Sequence, residues 1–207
     1  MAAERSPAPA PGGPRTADPA APLADRAVRA AAAWVDAGRR LEMQGLADEL
    51  GVSRVTLFRQ VGSREELLSR ALWQLTQATL AAAERRWEAQ RPARELRSVG
   101  TGRLVNAFVS QSPGLRRLLD DEPALAIRVL TDPRGRVQTG IVAFTEALLR
   151  RDIDELGLVP VIEPGALAYA LVRLGESFLY ADVLAARSPD LAMADRLQRA
   201  LIQGAGF

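Results

Sequence analysis

Apolar positions recur every three to four residues from Leu23 onward, and no stretch alternates in the manner of a strand. The pattern predicts an all-α protein. Gly38 closes a first helix begun near Leu23, Gly51 separates two short helices, and Gly62 precedes a long one. Pro92, Pro113, Pro123, Pro133, Pro160, Pro164 and Pro189 mark later boundaries. About nine helices result: 23–37, 43–50, 54–60, 64–89, 94–110, 113–120 (a continuation toward 130 stays open), 134–156, 164–187 and 190–203. The first three are short and close together, and most of the rest are long. That contrast predicts a small three-helix head, residues 23–68, and a larger helical body, residues 69–207, joined through the fourth helix. Residues 1–22 hold six of the 13 prolines and no apolar run, so they are expected to be a disordered arm rather than a signal peptide. Arg5 and Arg15 of that arm are either part of a floppy leader or in reach of a phosphate backbone.

Composition removes whole classes of chemistry. The 207 residues contain no Cys, no His and no Lys, so all 27 basic residues are Arg. A disulfide framework, a Cys or His zinc site, a Ser-His-Asp triad, a Lys Schiff base and a P-loop Lys are all impossible. No catalytic residue, metal site or cofactor is expected. The net charge is only +2 although the pI is about 9.8, because almost nothing titrates between the carboxylates and Tyr. A nucleic-acid partner would therefore need positive charge concentrated locally. No run approaches the roughly 18 uncharged apolar residues of a membrane span, so a cytoplasmic protein without a membrane partner is expected. Arg without Lys, beside abundant Ala, Gly and Pro, hints at a GC-rich bacterial genome.

The concentration of charge is found in Met43 to Val61, MQGLADELGVSRVTLFRQV. Leu46, Leu50, Val52 and Leu57 are spaced to pack together, Ala47 is small where two helices cross, and Gly51 sits at the turn. Ser53 follows as an N-cap. Two short helices around such a turn make a helix-turn-helix, whose second helix enters the major groove of DNA. From Leu50 to Arg64 there are three Arg and no acid, whereas Glu42, Asp48 and Glu49 precede them. Ser63 and Glu66 then give a capping box for the long fourth helix. The candidate DNA-binding residues are Gln44, Ser53, Arg54, Val55, Thr56, Phe58, Arg59, Gln60, Ser63 and Arg64. Arg54 is placed for a bidentate contact to guanine, and Arg59 and Arg64 for phosphates. Thr56 suits a thymine methyl or a phosphate, and Gln60 an adenine or the backbone.

The block from Ala32 to Leu72 resembles the DNA-binding domain of the TetR family of bacterial transcription regulators, through Leu41, Leu46-Ala47, GVSRVTLFRQV and GSREELL in order. Two positions depart from the family pattern. Glu42 stands where Thr or Ser usually opens the second helix, and Phe58 where a Tyr hydroxyl usually meets phosphate. The resemblance implies a homodimer on a palindromic double-stranded operator, a dimer interface built from the last two long helices, and an effector pocket in the body. A weaker resemblance, in LGESFLYADVLAARSPDL from Leu174 to Leu191, is to a QsdR-like subgroup concerned with lactone degradation. It implies a lactone or similar oxygenated apolar effector.

The residues of the body agree with both a dimer and a pocket. Gly165 to Ala186 is apolar nearly all round, so a helix there is expected to be buried on more than one side. Leu179 and Val183 on that helix, with Leu197 and Leu201 on the last, are the candidate dimer contacts. Tyr169, Arg173, Glu176 and Tyr180 fall on one side at spacings of three and four. Either Arg173 and Glu176 form a structural pair, or the stripe lines a ligand cavity together with Asn106, Phe108, Ser110, Thr139 and Phe144. The expected function is a ligand-responsive, DNA-binding transcriptional repressor released by a small lipophilic effector. The alternative is a helical small-molecule-binding or catalytic dimer that does not bind DNA and uses carboxylates such as Glu176. Operator, effector identity, regulated genes and the sign of regulation leave no mark in the sequence.

Overall fold

The computed structural model describes residues 21–92 and 95–204, so the expected arm lies outside the described residues up to position 20. The described residues form eleven helices and no strand: α1 (Leu23–Asp36), α2 (Met43–Leu50), α3 (Arg54–Val61), α4 (Arg64–Gln90), α5 (Arg97–Ser110), α6 (Pro113–Asp121), α7 (Pro123–Thr131), α8 (Arg136–Leu156), α9 (Pro164–Leu179), α10 (Ala181–Ala185) and α11 (Leu191–Gln203). The all-α expectation holds, and the count of nine is corrected at two places. The segment from 113 toward 130 is two helices, because Pro123 lacks the N–H a continuous helix needs and opens α7 at its first position. The segment 164–187 breaks at Tyr180, whose backbone leaves helical geometry at φ −108° and ψ 22°. No Gly or Pro marks that break.

Local chemistry accounts for the head. Gly51 ends α2 in the left-handed region at φ 69°, where a side chain would be strained. Ser53 caps α3 by accepting from Thr56 N, and Ser63 and Glu66 form the expected capping box of α4. Hydrogen bonds from Ser63, first from its backbone N–H and then from its side chain, hold the Glu66 carboxyl below the usual range. In the body, α5 has no cap of its own. The buried Asp152 of α8 takes that role by accepting from Arg97 N at 3.0 Å and Ser98 N at 2.8 Å.

α1 lies along α4 and meets α2, α3 and α6, while α4 continues past α5, α7 and α8. One apolar cluster runs without a break from α1–α4 into Leu119, Ala126, Val129 and Leu130 of α6 and α7, and on to Val137 and Leu179. A second, smaller cluster holds Val99, Leu149, Leu167, Ala168, Leu171 and Ile202. The head meets the body closely at three points. Gly114, in the first turn of α6, rests on the end of α1, where a Cβ would collide with the carbonyl oxygens of Val35 and Asp36. Beside it, Arg64 donates through Nε to Leu41 O at 2.5 Å and clamps both oxygens of Glu122, at 2.9 and 2.5 Å. Arg40 approaches the same carboxylate at 3.5 Å, and Arg128 of α7 grips Glu65 of α4. No helix among the described residues is long and apolar enough to cross a membrane.

Candidate nucleic-acid interface and internal cavity

α3 turns only Leu57 and Val61 into the core, and both are fully buried. Everything else on it faces outward: Arg54, Val55, Thr56, Phe58, Arg59 and Gln60 are all exposed. Neither Arg54 nor Arg59 has an acidic partner among the described residues, and α3 carries no acid. The acids of α2 are engaged elsewhere. Glu49 accepts from Trp34 Nε1 at 2.9 Å and lies 3.6 Å from Arg39, which stacks over the Trp34 ring. Asp48 accepts from Gln44 at 2.8 Å, so the Gln44 amide already has a partner on its own helix. Ser53 Oγ lies 2.8 Å from Thr56 Oγ1, tying the two hydroxyls to one another.

One expected DNA contact needs correction. Arg64 does not project as a phosphate ligand, because its guanidinium is taken up by Leu41 O and Glu122. The Ser63 hydroxyl caps α4 by accepting from Glu66 N and keeps its own proton to donate. The outward cluster that remains is compact and cationic.

In the body, α4, α5, α8, α9 and α11 enclose a cavity of about 90 Å³. Its walls are mostly apolar, with Val99, Val105, Val109, Phe144, Leu148, Leu171 and Ile202 among them. Asn106, Phe144, Glu176 and Tyr180 line it as expected, but the other five candidates do not. The inward positions of α5 are Gly102, Val105, Asn106 and Val109, one face of a helix, and Phe108 lies off that face. Ser110 lines a separate small crevice and donates to Ala107 O. On α8 the inward face is Ile141, Phe144, Thr145 and Leu148, and Thr139 points the opposite way into solvent. The stripe on α9 keeps its periodicity but not its depth. Tyr169 is 53% exposed, Arg173 is also exposed, and only Glu176 and Tyr180 reach the interior.

Glu176 is 7% exposed, and Arg173 donates to its Oε2 at 2.7 Å from the outer rim. Burial pushes its carboxyl up to about 7, against the opposing pull of the Arg173 charge. Burial, and then the neighbouring Glu176, raises the Tyr180 phenol. The structural pair forms, and of its two members only Glu176 lines the cavity. Sequence reasoning missed Ser98, Thr145, Asp195, Gln198 and Arg199, which also line the space. Asn106 Nδ2 donates to Gln198 Oε1 at 3.0 Å, and Gln198 Nε2 to Leu171 O at 2.9 Å. Ser98 Oγ is buried without a partner among the described residues.

The candidate dimer residues divide as well. Leu197 and Leu201 are exposed on α11. Leu179 is buried and lines the cavity, and Val183 packs against the main apolar cluster. Leu179 is thereby corrected from interface to interior, whereas Val183 is half-buried and keeps part of its surface open.

Residues 95–203 match the family model for the tetracyclin repressor-like C-terminal domain. The chain is similar to the solved structure of the transcriptional repressor QsdR of the TetR family from R. erythropolis, at TM-score 0.77 and 31% identity. That likeness covers 88% of this chain and 94% of that one. A looser likeness, TM-score 0.42 at 19% identity over 87% of this chain and 98% of the other, is to PfmR, a TetR family transcriptional regulator from Thermus thermophilus. None of the curated protein sequences compared matches the chain.

Proposed function

The chain belongs to the TetR family of transcription regulators, and we propose that it is a repressor that binds a palindromic operator as a homodimer and is released by a small lipophilic effector. Residues 23–68 serve as the DNA-binding unit and residues 69–207 as the effector and dimer unit. The observation that carries the reading is α3, an exposed helix without acids whose Arg54 and Arg59 have no partner among the described residues. Arg54 at its first turn is the guanine reader, and Arg59 supplies phosphate attraction. Gln44, Ser53, Thr56 and Gln60 frame these contacts.

Leu197 and Leu201 on α11 present exposed apolar surface suited to a two-fold partner. The effector occupies the cavity behind them. A lactone suits its chemistry, because Tyr180 and the protonated form of Glu176 both donate to a carbonyl, while Val, Leu and Ile surround the ring. The occupant changes operator affinity only if it prefers one spacing of the heads over the other. The Arg64–Glu122 clamp is the link through which the body's arrangement reaches α4 and the heads.

The test is selection of bound duplex from a random pool, repeated with candidate lactones present. A palindromic consensus whose recovery falls with a lactone supports the whole reading. A consensus indifferent to every lactone removes the effector class and leaves the operator. Sedimentation of Leu197→Asp checks the dimer: a monomer with weakened operator binding is expected.

A further inference from the structure

Two large apolar side chains stand on the outer face of α3 with nothing among the described residues covering them. Val55 is 60% exposed and Phe58 57%. They are three residues apart and so adjacent on the helix surface. Folding does not require them there, because Leu57 and Val61 already supply the helix's buried contacts. Exposed apolar residues scattered singly need no explanation, but an adjacent pair between two unpaired cations does. Arg54 and Arg59 flank the pair, and their charge selects a polyanionic partner.

A polyanion that also offers apolar groups is duplex DNA. In its major groove the apolar group on a standard base is the C5-methyl of thymine. Arg54 and Gln60 are the free polar readers of α3, and the positions between them add little more. Thr56 Oγ1 is tied to Ser53 Oγ at 2.8 Å, and Phe58 has no hydroxyl to offer a phosphate or a base. We propose that Val55 and Phe58 read thymine methyl groups, so that each operator half-site carries thymines opposite this pair, beside the guanine contacted by Arg54. The inference rests on the reading of α3 as the recognition helix and adds the base chemistry it selects.

Deoxyuridine provides the test, since it keeps every hydrogen-bonding atom of thymine and lacks the methyl. In the operator recovered by selection, each thymine is replaced in turn, symmetrically in both half-sites, and binding to the full-length wild-type chain is measured. One or two positions should lose affinity by about 4-fold per methyl, the effect of exposing roughly one buried CH₂ group. Val55→Ala and Phe58→Ala should each make one such position indifferent to the replacement. Both residues are exposed, so these variants should melt like the wild type.

Three outcomes overturn the proposal in distinguishable ways. If the wild type binds the operator and no uracil substitution matters, methyl readout is wrong and the DNA-binding reading stands. If the uracil penalty persists unchanged in both variants, other residues read the methyls. If the variants instead change the sedimentation coefficient and leave the DNA response intact, the pair belongs to a protein interface. A wild-type chain that selects no DNA would remove the underlying function as well.

Discussion

α3 and the body treat charge in opposite ways. On α3, Arg54 and Arg59 stand without acidic partners among the described residues, and the only buried side chains are apolar. In the body, Arg97 lies between Glu88 and Glu155 at 3.0 Å each, Arg150 holds Glu146, and Arg116 and Arg151 pair with Asp182 and Glu84. Packing differs too. Leu46, Leu57, Leu67 and Leu68 close the head's core completely, whereas the body keeps a cavity with polar groups in its wall. A net charge near zero thus hides a division of labour. Charge left unpaired is what a protein presents to a partner, and charge already paired holds its own helices in place.

The sharpest way to break this contrast is a pair of core truncations. Leu57→Ala opens a hole in a filled core and should cost about 3–5 kcal/mol in urea unfolding. Leu148→Ala only enlarges a space that exists and should cost about 2–3 kcal/mol. Equal losses would mean that the head is packed no better than the body. Next come the cations. Arg54→Ala should weaken operator binding by about 1–3 kcal/mol and relax the base preference. Arg59→Ala should weaken binding to all sequences and reduce the salt slope by about one counterion. Arg150→Ala should leave both unchanged. A third comparison concerns the cation at the border. Arg64→Ala strands the half-buried Glu122 and Leu41 O, so it should lower stability by about 1–2 kcal/mol while preserving the salt slope. A lowered slope with intact stability would return Arg64 to the DNA surface.

The smallest effect is a pH dependence. The Glu176 carboxyl titrates near 7 when folded, against an ordinary value of 4.5. The native state therefore binds the proton more tightly than the unfolded chain. This group's penalty is absent below about pH 4.5, grows as pH rises toward 7 and is complete above it. Glu176→Gln lacks that dependence. Its melting temperature should gain on that of the wild type between pH 5 and pH 8. A constant difference across that range would mean that the carboxyl is not desolvated.

What was legible in the sequence follows the same division. The head's boundaries rest on local chemistry, the left-handed Gly51 and the hydroxyl caps Ser53 and Ser63, and each of these acts within a few residues. The body's site depends on depth, which periodicity does not encode. Tyr169 on α9 and Tyr180 at its end share a stripe, yet Tyr169 is exposed and Tyr180 is buried. On α11 the conspicuous leucines 197 and 201 face outward. The inward line is Ala194, Gln198 and Ile202, and a glutamine amid polar neighbours reads as surface. The break at Tyr180 has no breaker residue, so periodicity alone runs α9 on through Val183 as one helix.

Gly114 has a mechanical consequence. Where two helices touch through side chains, a push on one is partly lost as rotamers give way. At Gly114 the first turn of α6 sits directly on the last carbonyls of α1, with no such cushion between them. There is no room between them for α6 to move toward α1 without moving α1 as well. A methyl group inserted there would not loosen the joint. It would act as a wedge, driving the first turn of α6 away from the end of α1.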